Sequence, residues 1–179
     1  MSDSLAIETH DLTRAFGPRV AVDRLELRVP RGMVYGFLGP NGAGKTTTIR
    51  LLLGLLRPSA GRVVIHGEPL TEKRRDVLRA VGALVEPSLY PHLTGQENLD
   101  VTRRLLDLPS TSVHDALDVF ELTADARRLV RTYSSGMRQR LGLALAWLGK
   151  PTLLLLDEPA TSLDPAGTCS LRGLLRRLT

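Results

Sequence analysis

The stretch from Met33 to Arg50, MVYGFLGPNGAGKTTTIR, constrains this chain more than any other. It opens on the apolar run Met33-Val34-Tyr35-Gly36-Phe37-Leu38. It turns through Gly39-Pro40-Asn41-Gly42-Ala43-Gly44 and closes on Lys45-Thr46-Thr47-Thr48 and the helix-compatible residues Ile49 to Leu53. The order predicts strand, glycine loop, helix. From Gly39 to Thr46 the spacing is G-x-x-x-x-G-K-[ST].

Such a loop suits a polyphosphate. Glycines reach positive φ and bring backbone N–H groups against oxygens where a Cβ would clash. A helix N-terminus adds further N–H groups and the positive end of its dipole. Lys45 is then placed to reach the β- and γ-phosphates, the Thr46 hydroxyl to bind Mg²⁺, and Thr47 to meet the α-phosphate. An ordinary glycine-rich turn would not need the whole octet between an apolar run and a helix.

The 179 residues suffice for one domain with a core, and 42% hydrophobic content marks a globular chain. The net charge of +5 comes from scattered arginines without a dense basic block. No nucleic-acid partner is therefore expected. The single cysteine, Cys169, forms no internal disulfide and suggests a reducing compartment. The N-terminus has no signal-peptide pattern, and no apolar run approaches the roughly 18 residues of a membrane span.

Leu5 to Glu8 and Leu25 to Val29 read as half-buried antiparallel strands, with a turn from Thr13 to Arg19 that carries Phe16. Arg62 to Gly67 is a strand and turn, Thr71 to Ala80 a charged helix, and Val81 to Glu86 another strand. From Thr94 to Leu148 the pattern is helical, and Thr94-Gly95-Gln96-Glu97 fits a capping box. Thr152 to Asp157 returns to a buried strand, and Asp164-Pro165 caps a last helix.

Two further pieces carry chemistry. Leu153-Leu154-Leu155-Leu156 runs into Asp157 and Glu158, acids at the carboxyl end of a strand, where ligands of α/β sheets bind. Asp157 can hold Mg²⁺ through a water, and Glu158 can polarise an attacking water. Thr132 to Leu141 is a serine-glycine turn feeding a helix. By itself it is only a good N-cap.

Taken together, these motifs resemble the nucleotide-binding domain of an ABC transporter, over essentially the whole chain. Gly39 to Thr46 resembles Walker A, Leu153 to Glu158 resembles Walker B, and Ser162-Leu163-Asp164 resembles the D-loop. Tyr133-Ser134-Ser135-Gly136-Met137 resembles the LSGGQ signature, with departures at its first, third and last places. The resemblance implies an α/β P-loop NTPase fold of the RecA-like kind, with an N-terminal antiparallel layer. Residues 1–87 and 149–179 would form the core and 88–148 a helical subdomain. It implies ATP and Mg²⁺ as ligands, bound by Gly39, Pro40, Asn41, Gly42, Ala43, Gly44, Lys45, Thr46 and Thr47, with Glu158 catalytic and Asp157 on the metal. Ser134 and Gly136 would contact the γ-phosphate of a partner's nucleotide across a head-to-tail homodimer or heterodimer. Phe16 sits where the family stacks an aromatic on adenine; a core residue is the alternative.

Glu86 stands where the family has its Q-loop glutamine. Followed by Pro87 and an aromatic, it is similar to bacterial exporters of bacitracin-like and lantibiotic peptides. Its carboxylate is a suitable Mg²⁺ ligand, or a tolerated substitution without bearing on substrate. The family's switch histidine and the strand before it would follow Glu158 further along, whereas this sequence ends at Thr179. In RecA-like sheets that strand lies between the Walker A and Walker B strands, so without it inner edges would be left unpaired.

The resemblance therefore implies an ATPase subunit on the cytoplasmic face of the cell membrane, driving export by a separate membrane-spanning subunit. A truncated nucleotide-binding module with little hydrolysis is the alternative. A soluble relative acting on DNA or ribosomes fits less well, given Glu86 and the absence of a basic block.

Overall fold

The structure, a computed structural model, describes residues 5–71, 74–85, 88–161 and 163–178. The chain forms two compact units, one running to Arg79 and including the chain from Leu175, the other Ala80–Leu174.

The first unit is built on β1 (Leu5–Phe16), which pairs antiparallel with β2 (Arg19–Leu25), β3 (Arg28–Pro30) and β4 (Ala60–Ile65). A short β5 (Glu68–Pro69) flanks β4. Thr9 explains how one strand serves three neighbours. Its buried hydroxyl donates to the Leu25 carbonyl at 2.7 Å and accepts from the Leu27 N–H at 2.8 Å, bridging the step between β2 and β3. Leu12 and Ile65 are fully buried.

Two expectations change here. Thr13 to Phe16 is strand rather than turn, because Arg14, Ala15 and Phe16 gain partners in Val22, Val20 and Arg19; only Gly17 and Pro18 turn. Leu25 to Val29 is not one strand but two, broken where Thr9 bridges.

A third expectation also changes. Met33 to Leu38 joins no ladder among the described residues. It is mostly exposed, and Leu38 is 92% accessible. A short continuous apolar run favours extension, but a strand exists only through a partner's hydrogen bonds. The loop then enters α1 (Lys45–Leu52), which ends at Gly54, whose N–H bonds the Leu51 carbonyl at 3.0 Å. The charged segment 71–80 holds a short helix, α2 (Arg74–Leu78).

The second unit pairs β6 (Val81–Leu84) with β7 (Leu153–Leu156) in parallel, Val81 opposite Leu153 through Leu84 opposite Leu156. α5 (Ser135–Trp147) packs on β6, and α3 (Gly95–Leu105) and α4 (Thr111–Val119) pack on α5 and on each other, with α6 (Pro165–Leu178) beginning in this unit. Its core includes Leu99, Phe120, Leu122, Val130, Leu141 and Leu148, and Phe120 meets Trp147 edge to face at 6.0 Å.

The capping box forms as read: the Glu97 N–H donates to Thr94 Oγ1 at 3.2 Å and the Thr94 N–H to Glu97 Oε2 at 2.7 Å. That second bond, to the charged form, holds the Glu97 carboxyl below its usual range. Buried Asn98 secures the preceding loop. Its Oδ1 accepts from the Tyr90 N–H at 2.8 Å, and its Nδ2 donates to the Tyr90 and Thr94 carbonyls at 3.1 and 2.8 Å. Asp164 caps α6 through the Gly167 N–H at 2.7 Å, with Pro165 in the first helical position.

Gly82 sets how closely β6 approaches α5. A Cβ there would lie 2.0 Å from the Ala146 carbonyl oxygen, which is backbone and cannot swing aside. Gly82→Ala should therefore destabilise the protein by about 1–3 kcal/mol, as overpacking does. Urea unfolding followed by the fluorescence of Trp147, the one tryptophan, measures this; an unmoved midpoint would contradict the packing.

Candidate functional site

In the first unit, the glycine loop is shaped by its seat on β2. Gly44 has φ 88° and ψ 7°, a left-handed conformation. A Cβ on it would stand 2.3 Å from the Ala21 carbonyl oxygen and 3.4 Å from Val22 Cγ2. Only glycine meets both demands. Gly42 is left-handed as well, with φ 81°, and the Ala43 N–H closes a turn on the Pro40 carbonyl at 3.2 Å.

As the residue before α1, Gly44 supplies no capping side chain, and the first turn holds no acid. Helix-start N–H groups lack acceptors within the helix, so this end favours an anion. Lys45 Nζ donates to the Gly39 and Pro40 carbonyls at 2.8 and 3.0 Å, which lays its ammonium across the opening of the loop. Asn41 is exposed, and Thr46 and Thr47 sit half-buried in the first turn.

The strand that seats Gly44 also carries the hairpin partner of Phe16, Arg19. The hairpin end and the loop are therefore neighbours: a Cβ on Gly42 would lie 3.9 Å from Arg19 Nη2. Phe16 is 45% exposed, so it is not a core residue, and the guanidinium of Arg14 lies 4.5 Å from its ring centroid.

In the second unit, β7 delivers the acids. The Asp157 N–H extends the ladder to the Leu84 carbonyl at 2.7 Å. Glu158 then turns the chain with φ 46°, a left-handed backbone that non-glycine residues rarely adopt. Sparse conformations of this kind gather at functional positions. Thr161 Oγ1 donates to Glu158 Oε2 at 3.2 Å, and the Thr161 N–H to the Glu158 carbonyl at 3.2 Å.

Ser134 caps α5, its Oγ accepting from the Met137 N–H at 3.2 Å. The turn is anchored behind it. Tyr133 is buried, its hydroxyl donates to the Asp125 carbonyl at 2.8 Å, and burial, with the Asp125 charge second, raises its pKa. Gly136 lies beside Leu163, whose Cδ2 is 3.6 Å from the Cβ a side chain would add. One turn along α5, Gln139 Nε2 donates to the Pro159 carbonyl at 2.7 Å. The serine-glycine turn and the acid turn are thus linked within this unit. Glu86 and Ser162 lie outside the described residues.

Residues 22–161 match the family described as ABC transporter. The chain belongs to that family. It is 43% identical over 177 residues to the bacitracin transport ATP-binding protein BcrA of Bacillus licheniformis, covering 98% of this chain and 58% of that protein. The daunorubicin resistance ATP-binding protein DrrA3 of Streptomyces coeruleorubidus is 40% identical, with 99% of this chain and 58% of the relative covered. The lantibiotic transport ATP-binding protein SrtF of Streptococcus pyogenes is 35% identical, and the match covers 94% of this chain and 73% of the relative. The chain thus spans a little over half the length of the first two of these relatives. A solved structure titled as the ATP binding subunit of an ABC transporter superposes with TM-score 0.83 at 28% identity, over 97% of this chain and 74% of that one. CbiO1 of Clostridium perfringens superposes at 0.86 with 23% identity, over 98% and 74%, which shows the shared fold.

As an ABC family member, the chain presents its Walker A loop against a β-hairpin, and its Walker B acids next to the start of the signature helix. Sequence reasoning missed the residues that brace these parts. Arg14, Gln139 and Thr161 act through contacts that no motif records, although Thr161, three residues after Glu158, has the spacing of a turn. Gly44→Ala should weaken binding of inorganic tripolyphosphate by at least about tenfold, since left-handed strain of ~1–2 kcal/mol adds to the clash with Ala21. Calorimetric titration measures it, and an unchanged affinity would contradict the role given to Gly44.

Proposed function

We propose that this chain is the ATP-binding part of an ABC exporter, binding and hydrolysing ATP to drive export by a separate membrane-spanning subunit. The observation that carries this reading is Gly44, left-handed and pressed on β2, opening an uncapped helix that begins Lys45-Thr46-Thr47. A polyanion is the ligand such a loop suits. The loop from Gly39 to Gly44 would wrap the phosphates, donating backbone N–H groups everywhere but at Pro40, which has none; Lys45 would bind the β- and γ-phosphates, and Thr47 the α-phosphate. Phe16 would stack on adenine.

The Thr46 hydroxyl and the carboxylates of Asp157 and Glu86 are hard oxygen donors of the kind Mg²⁺ takes, and the resemblance gives them that role. The ion would supply charge neutralisation on the phosphates. Glu158 would orient a water and take its proton as the oxygen attacks the γ-phosphorus. The bond to the bridging oxygen then breaks, and ADP and phosphate leave. Thr161 would hold the Glu158 carboxylate by the hydroxyl contact described above.

Ser134 and Gly136 would serve the nucleotide of a second such subunit in a head-to-tail dimer. The 88–148 segment would be the helical subdomain of the RecA-like core. The named relatives support a membrane partner that moves antimicrobial peptides or drug-like molecules. Among the described residues no helix is long and apolar enough to cross a membrane. The reading places the chain on the inner face of the membrane through that partner.

Steady-state ATP turnover tests the enzymatic reading. Glu158→Gln should lower kcat by about 10²-fold or more, the usual contribution of a positioned general base, while keeping ATP binding. Turnover unaffected by the change would remove Glu158 from the catalytic role. Lys45→Ala should lose most affinity for a fluorescent ATP analogue. MgATP at 100 times its Kd should stabilise the protein by about 2.7 kcal/mol through linkage, seen as a higher melting temperature. No shift at saturating nucleotide would contradict a formed site.

A further inference from the structure

Phe16 is not left loose at its hairpin end. Arg14, two residues earlier on β1, lays its guanidinium over the ring at 4.5 Å from the centroid. The arginine is itself tied down. Its Nη1 donates to the Arg57 carbonyl at 2.9 Å. The chain at 57–59 is in turn pinned to β1: the Ser59 N–H donates to the Thr13 carbonyl at 2.8 Å, and Ser59 Oγ accepts from the Ala15 N–H at 3.1 Å. An aromatic ring has two faces. One lies under the guanidinium, and the residue as a whole is still 45% exposed, which leaves surface for a base to meet.

We infer that Arg14 is a positioning residue for base recognition: it covers one face of Phe16, fixes the ring, and leaves a single face to receive the adenine. The inference rests on the reading that Phe16 stacks on the base. Two physical effects support it. A planar guanidinium stacked on an aromatic restrains the ring before the base arrives, so less side-chain freedom is lost on binding. A cation on one face also draws the π-electron density toward itself, which eases stacking of an electron-rich purine on the other. Neither effect acts on the triphosphate. The mark of the device is therefore a change in the preference for ATP over inorganic tripolyphosphate, not in phosphate affinity.

The experiment compares MgATP and magnesium tripolyphosphate affinities for the full chain, by displacement of a fluorescent ATP analogue. The variants are Arg14→Gln, Arg14→Met, Arg14→Lys, Phe16→Leu and the double change of Arg14→Gln with Phe16→Leu. Circular dichroism and melting curves check that each is folded. Arg14→Gln and Arg14→Met should lower the ATP-to-tripolyphosphate affinity ratio roughly 2- to 5-fold, the size of an exposed cation–π contact, with tripolyphosphate affinity unchanged. Arg14→Lys, which keeps the charge and loses the flat cover, should recover only part of that ratio. In the Phe16→Leu background, Arg14→Gln should change the ratio no further.

If Phe16→Leu lowers the ratio and the Arg14 variants do not, the role of Arg14 is overturned while base stacking stands. If both affinities fall together, Arg14 acts as a charge on the phosphates or on folding, and the inference is overturned. If Phe16→Leu itself leaves the ratio unchanged, base stacking on Phe16 fails and Arg14 falls with it.

Discussion

The first unit depends on one contact, the backbone of Gly44 against the Ala21 carbonyl of β2. A single added carbon at 2.3 Å from that oxygen has no room. Because the chain comes so close, the glycine loop is seated on a strand as well as closed by its own turn. The helix it opens starts at a defined place, with no side-chain cap on its N-terminal N–H groups. The same strand pairs with the end of β1, Phe16 opposite Arg19, and Arg19 reaches the loop at Gly42. The Phe16 ring, the glycine loop and Lys45 therefore share one support, which the proposed binding of base and phosphates would use. The antiparallel layer is a scaffold for the site as much as a core.

The second unit solves a different problem: it must present two acids and a serine-glycine turn from separate parts of the chain. The parallel pairing of β6 with β7 carries Asp157 to a strand end through its bond to Leu84. The left-handed backbone at Glu158 then breaks the strand direction. On the helical side, Tyr133 is buried and bonded to Asp125, which fixes the entry to α5. Gln139 joins the two sides by donating to the Pro159 carbonyl, which ties α5 to the acid turn. Such a bond suits the proposed function, in which the serine-glycine turn and Glu158 would act on the same chemistry.

Features decided by near neighbours were legible in the sequence. The capping box of Thr94 and Glu97, the Ser134 cap and the Asp164-Pro165 helix start all depend on groups within four residues, and all formed. The glycine octet and the leucine run into Asp157 and Glu158 were legible for the same reason: their spacing alone pointed to the family that the chain matches. Where apolar patterning was weak or misleading, what depended on distant partners was not. Thr13 to Phe16 looked like a turn because its polar and charged residues gave no apolar alternation; ladder bonds to β2 made it strand. Met33 to Leu38 looked like a strand, yet no described residue pairs with it. The braces on the site, Arg14 on Phe16 and Gln139 on Pro159, join residues by packing, which composition does not reveal.

The central claim is that the backbone N–H groups from Gly42 to Thr47 receive a polyphosphate. Backbone amide NMR spectra of the isotope-labelled chain, recorded as MgATP is added, address it residue by residue. The account predicts that the largest shifts fall on Gly42, Gly44, Lys45 and Thr46, and that the Phe16 ring protons move upfield as a base stacks on them. Amides in that loop that stay in place at saturating nucleotide, with the perturbation gathered elsewhere, would contradict it.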